Sequence, residues 1–190
     1  DFGAGTRKNL LLLPYKPIIP LITAVLVNRD YKNIRIDVKA NIEQKIKLFF
    51  FYTSLVSRYA EGTDNKLKED YQLLLKWIIS DQVPSIVSDG ILWNTSKYIT
   101  ITKKSAFGKA VLCLINAQKP RDFYENKMVG IGENVETSQI HHIFPEAQYK
   151  GMAGERINSI FNYTFLTGEA NNFINNKETG KYISEILQIR

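Results

Sequence analysis

The stretch "SQIHHIFPEAQYK", residues 138–150, holds both histidines of the 190-residue chain, His141 and His142, with Pro145 three residues after the second. On a regular strand adjacent side chains point to opposite faces, so two neighbouring imidazoles would not reach one spot. Where a strand ends and the chain turns they can converge, and Pro145 argues for such a break after "HHIF". One ring is then free to bind a metal while its neighbour stays available as a base, since an unperturbed imidazole titrates at about 6.5. The competing reading is a polar turn in which the pair does no chemistry.

One histidine is too few for a metal site, and the following stretch supplies amides: Asn158, Asn162, Asn171, Asn172, Asn175 and Asn176. An amide oxygen is a neutral, hard ligand that suits Mg²⁺ or Mn²⁺ better than zinc. A site with few protein ligands keeps positions open for water and phosphate oxygens, an arrangement that favours phosphodiester hydrolysis. Between the amides, Tyr163–Thr164–Phe165–Leu166 is β-prone. "EANNFINNKETGKYISEILQ" then predicts a short helix and a final one with Tyr182, Ile183, Ile186 and Leu187 on one side.

Upstream, most of the chain predicts helix. Residues 40–60 are apolar nearly all round, as in a helix buried within a helical domain. Leu67, Tyr71, Leu74 and Ile78 form a one-sided stripe on the next helix, with Asp64 or Asn65 as its expected cap and "DQVPS" as its end. A further helix over 105–117 has Ser105 as its cap. After "QKPRD" the texture turns short, polar and glycine-punctuated. The expected fold is mainly α: a helical domain over residues 1–119, then a small module over 120–190.

With its histidine pair, its asparagines nine apart in "NYTFLTGEAN", and the later "NK" and "KYI", the tail resembles the HNH, or His-Me finger, endonuclease module. It is most similar to the form at the C-terminus of GmrSD-type modification-dependent restriction proteins and of SspE-like phosphorothioation-sensing phage-defence nucleases. The segments "FFFYTSLVSRYAEGTDNKLKED" and "CLINAQKPRDF" resemble the helical region that precedes the nuclease in those proteins. The resemblance implies that residues 120–190 form a ββα-metal nuclease module, with His142 as general base and His141 and Asn171 as ligands of one Mg²⁺ or Mn²⁺ ion. It implies that Asn162 holds the loop bearing the base. Asn172 or Asn175 takes the place of Asn171 if the register differs by one residue or one turn. Lys177 and Arg156 are candidate phosphate contacts, although a solvated surface charge is the plainer reading of each.

The implied activity is metal-dependent nicking of DNA by a cytoplasmic, bacterial anti-phage restriction protein, with a nucleotide-hydrolysing sensor domain lying upstream of this chain. The alternative is a DNA-binding or assembly module that keeps the fold without the activity. Composition agrees with either. The formal charge of +6 suits a polyanionic partner, and it is concentrated in residues 1–50, with nine Lys or Arg against four acids. Cys113 is the single cysteine, in an apolar run, which excludes a Cys-x-x-Cys zinc knuckle and predicts a buried thiol in a reducing compartment. "PIIPLITAVLVN" is too short and proline-broken to cross a bilayer, no signal peptide is evident, and the opening without Met predicts a longer protein with domains upstream.

Overall fold

The structure is a computed structural model and describes residues 2–4, 12–28, 36–91, 94–131 and 138–189. It is mainly helical, with a two-stranded antiparallel sheet among the described residues. Two compact units divide the chain: Pro14–Leu92, and Asp1–Leu13 together with Trp93–Arg190.

In the Pro14–Leu92 unit, α1 (Ile18–Val27), α2 (Ile36–Leu55) and α3 (Thr63–Ser80) pack together, and a single turn, Ser85–Ser88, follows. The near-continuous apolarity of α2 has a simple cause. Phe49, Phe50, Phe51, Thr53 and Ser54 are all buried in its last turns, and the two hydroxyls donate to carbonyls three or four residues back. Over residues 41–48 the inward side chains include Ile42 and Ile46. Ser57 and Gly62, both left-handed, break the chain between α2 and α3, and Gly62 occupies the cap position expected of Asp64 or Asn65. Asp64 sits instead in the first turn of α3, where its charge opposes the helix dipole.

Two buried polar knots hold this unit. Lys45 Nζ donates to Trp77 O at 2.8 Å and meets Asp81 Oδ1 at 2.6 Å, satisfying both the buried ammonium and a terminal carbonyl of α3. The Asp70 carboxylate, fully buried, receives Arg58 Nε on both oxygens at 2.8 Å and the Tyr59 hydroxyl at 2.7 Å. That pairing raises the Arg58 guanidinium further, and burial followed by Asp70 raises the Tyr59 phenol.

In the other unit, Ser105 caps α4 (Ala106–Ala117), its Oγ accepting from Gly108 N at 2.9 Å. Phe107, Ala110, Leu112 and Cys113 are buried, and burial pushes the Cys113 thiol up to about 12, so it is an inert core side chain. The opening residues lie directly on α4. Cys113 Sγ donates to Leu12 O at 3.2 Å, Asn116 Nδ2 to Gly3 O at 2.8 Å, and a Cβ at Gly3 would stand 2.1 Å from Cys113 O. The units therefore part at 92/93 rather than at 119/120. Residues expected to close a helical domain belong with the tail, because α4 buries one face against residues on both sides of it in sequence.

The tail runs β1 (Gln139–His142), α5 (Glu146–Ala153), two 3₁₀ turns (Gly154–Asn158 and Ile160–Asn162), β2 (Tyr163–Leu166), α6 (Gly168–Ile174) and α7 (Thr179–Ile189). Of the glycine-punctuated stretch, residues 132–137 lie outside the described residues. The register pairs Gln139 with Leu166, Ile140 with Phe165, His141 with Thr164 and His142 with Tyr163. Leu166, Ala170, Ile174, Tyr182 and Ile186 form one core, flanked by Phe123, Tyr124 and Phe173. Only half of the predicted α7 stripe is inside: Ile183 and Leu187 are exposed and border a cavity of about 320 Å³ with Phe123 and Tyr182. Among the described residues, no helix is long and apolar enough to cross a membrane.

Candidate functional site

The histidines occupy the last two positions of β1, so the pleat itself separates them. Gln139 and His141 share one face with their partners Leu166 and Thr164. His142 shares the other with Tyr163, whose ring lies 4.4 Å away between centroids. The expected convergence of the pair on one spot at a turn is thus replaced by a strand in which each ring takes its own side, their centroids 6.1 Å apart.

Helix α6 meets β1 at Gln139. Its start is fixed twice: Thr167 Oγ accepts from Ala170 N at 3.0 Å, and Thr167 N donates to the buried Asp122 carboxylate at 3.1 Å. Asp122 also accepts from Tyr124 N and Glu125 N, pinning the segment after α4 to the same helix end. One turn into α6, Asn171 Nδ2 donates to Gln139 Oε1 at 2.6 Å. Asn171 is therefore the amide that α6 turns toward β1. Asn172 and Asn175 are exposed, and Asn175 is the C-cap, with φ of 45°.

The hydrogen-bond partners assign one tautomer to each neutral ring. His141 Nδ1 lies 3.2 Å from the carbonyl oxygen of His142, which can only accept. The neutral ring accordingly bears its proton on Nδ1 and turns an Nε2 lone pair outward. His142 Nε2 lies 3.1 Å from Asn158 Oδ1, an oxygen oriented by a 3.1 Å hydrogen bond from the Tyr163 hydroxyl. The neutral His142 ring therefore holds its proton on Nε2 and keeps Nδ1 as its basic nitrogen. Burial lowers its pKa below the ordinary value; the Asn158 bond and Glu146 oppose the shift, and His141 and Lys103 add to it. The shift favours the uncharged ring.

Asn162 is a clamp rather than a reactant. It is 8% exposed; its Oδ1 accepts from Phe144 N at 2.8 Å, and its Nδ2 donates to Phe144 O at 3.1 Å and Ile157 O at 2.9 Å. With Ile143 N donating to Asn162 O at 2.8 Å, this residue fastens the loop that leaves His142. Lys177 is engaged internally, paired with Glu185 at 2.6 Å and lying 3.8 Å over the Phe173 ring, which leaves little charge for a phosphate. Arg156 is exposed beside Phe144, Tyr149 and Phe161 at a cavity of about 410 Å³. In the sequence Asn158 stands only as one amide among six and Tyr163 only as part of a β-prone run, with no contact to His142 foreseen for either, and Gln139 is not singled out. Gln139 has a legible signal, being two residues before His141 on a strand; Asn158 has none, because a 3₁₀ turn delivers it.

Among the described residues, no group of three or more His, Cys, Asp or Glu is placed to hold a metal ion. Asn171 meets Gln139 through its nitrogen, and no contact among the described residues joins it to His141. A His141 imidazole with an Asn171 amide oxygen would be a sparse, neutral donor pair that leaves most of a hard ion's coordination to water.

No protein-family model matches the chain, and no solved structure matches it. An uncharacterized protein of Methanocaldococcus jannaschii is similar, 26% identical over 184 residues that cover 93% of this chain and 30% of that protein. The alignment runs through both units, and the chain spans under a third of that relative's length.

Proposed function

We propose that the chain carries a divalent-metal-dependent DNA nicking endonuclease of the HNH type, working in a cytoplasmic anti-phage restriction system of the bacterial kind. The observation that supports this best is the anchoring of His142: Asn158 holds its ring at 3.1 Å, and Asn162 fastens the loop that leaves it. Asn171 reaches β1 two residues before His141, at Gln139. In this reading His142 Nδ1 takes a proton from water as that water attacks phosphorus in line; the P–O3′ bond breaks, and the departing 3′ oxygen takes a proton from solvent. Asn158 keeps the other ring proton in place, and Asn162 keeps the loop from drifting. A Mg²⁺ or Mn²⁺ ion held by His141 and Asn171 would supply Lewis-acid stabilisation of the phosphate charge. Sensing of modified DNA, with nucleotide hydrolysis, belongs to a domain upstream.

The test is plasmid nicking with Mg²⁺ or Mn²⁺ by the wild type and by His142→Ala. Loss of a general base is worth about 10²–10⁴-fold in rate, so the variant should be nearly silent with its fold intact. A second reading, a DNA-binding or assembly module without activity, draws on one observation: the donor set contains no carboxylate, which a divalent ion favours. Equal behaviour of the two proteins would favour it.

A further inference from the structure

The loop "ITKKS", residues 101–105, carries none of the residues expected at the site, yet it is fastened to the segment between the histidines and β2. Ile160 N donates to Ile101 O at 2.6 Å. Ser105 Oγ donates to Thr102 O at 2.9 Å while capping α4. A Cβ at Gly108 would stand 2.1 Å from Thr102 O, so glycine there is what lets the loop lie against the helix. Three independent constraints thus fix the backbone on both sides of Lys103.

Held this way, Lys103 Nζ stands 4.3 Å from the centroid of the Tyr163 ring, and that same ring contacts His142. Lys103 is half-buried and pairs with no carboxylate among the described residues, whereas Lys45, Lys127, Lys150 and Lys177 each do. Burial, then the neighbouring Lys104, holds its ammonium below the usual lysine range. A partly desolvated cation beside a second cation is unfavourable unless something anionic completes it. The aromatic face offsets part of that cost but brings no charge. Lys103 is also close enough to act electrostatically on His142.

We propose that Lys103 is a substrate-binding residue whose ammonium takes a non-bridging phosphate oxygen of a nucleic-acid strand lying against His142. This rests on the nuclease reading for the identity of the strand as substrate, but the phosphate contact is measurable without cleavage. The experiment titrates a fluorescein-labelled duplex oligonucleotide with the full chain in EDTA, over a range of salt concentrations. Lys103→Met keeps the stem over Tyr163 and removes the charge; Lys103→Arg keeps the charge; Lys127→Ala, already paired with Glu125, serves as the comparison. One lost phosphate contact lowers the slope of log K against log salt by about 0.9. That fall is expected for Lys103→Met only, together with a drop of about tenfold or more in kcat/KM for nicking.

A wild-type slope for Lys103→Met overturns the proposal, as does a wild type that binds no DNA. A wild type that shows the Lys103-dependent slope yet nicks nothing with Mg²⁺ or Mn²⁺ removes the nuclease reading and leaves the phosphate contact standing. A purely structural Lys103 would lower the melting temperature of Lys103→Met and leave the slope unmoved.

Discussion

Replacing Asn162 isolates the clamp from the chemistry. Asn162→Ala deletes three hydrogen bonds, to Phe144 N, Phe144 O and Ile157 O, at a side chain that is 8% exposed. At about 1 kcal/mol net for each bond, the loss is about 3 kcal/mol. For a chain of this size that lowers Tm by about 6–12 °C. Asn162→Asp separates donor from acceptor: its carboxylate still accepts from Phe144 N but sets negative charge against two carbonyl oxygens, so it should cost at least as much as alanine. Thermal unfolding followed by circular dichroism, with urea titration for ΔG, reads both. An alanine variant that melts within about 2 °C of wild type, or an aspartate variant that is indistinguishable from it, refutes the clamp. If nicking is present, both variants should lose it more steeply than they lose stability, because the loop leaving His142 is what the clamp holds.

Four further outcomes are expected. Nicking should rise with pH through the His142 pKa, which lies below 6.5, and stay level above it; a profile still climbing above pH 7 contradicts the neutral base. The same shift enters stability: folded His142 binds a proton less readily than in the unfolded chain, so its contribution is complete above about 6.5 and is lost as pH falls through the folded value, which denaturation at stepped pH with His142→Gln as reference checks. Asp70→Ala leaves the buried Tyr59 hydroxyl without its acceptor and the half-buried Arg58 guanidinium with Glu69 alone, and should cost about 3 kcal/mol in urea titration. A fragment of residues 120–190 lacks α4 and the Ile101 carbonyl and should give no cooperative melt, whereas residues 120–190 would melt normally if 119/120 were a true boundary.

What could be read ahead of the structure was whatever periodicity or a local cap controls. The stripe Leu67, Tyr71, Leu74 and Ile78, the Ser105 cap and the β-prone run from Tyr163 to Leu166 all act through neighbours in sequence. The start of α3 escaped because a left-handed glycine, with no side-chain signal, replaced the expected polar cap. The unit boundary escaped for a tertiary reason: the apolar face of α4 meets Leu12 and Gly3, about a hundred residues earlier in the chain. At the site, the histidine pair stands out by composition and Asn171 by spacing. Asn158 and Lys103 do not, since a short turn and a loop fastened by backbone bonds bring them beside His142. Ile183 and Leu187 fit the helix period yet face outward, because periodicity marks a face without saying what covers it.

The twin histidines take opposite sides because they hold odd and even positions along β1. Inserting one residue before His141 would exchange the two sides and part His142 from the Asn158 oxygen, although no side chain had been altered. Inserting two would restore the parity. Variation in the length of this strand is therefore tolerable only in steps of two, a restriction that mutagenesis by insertion can read directly.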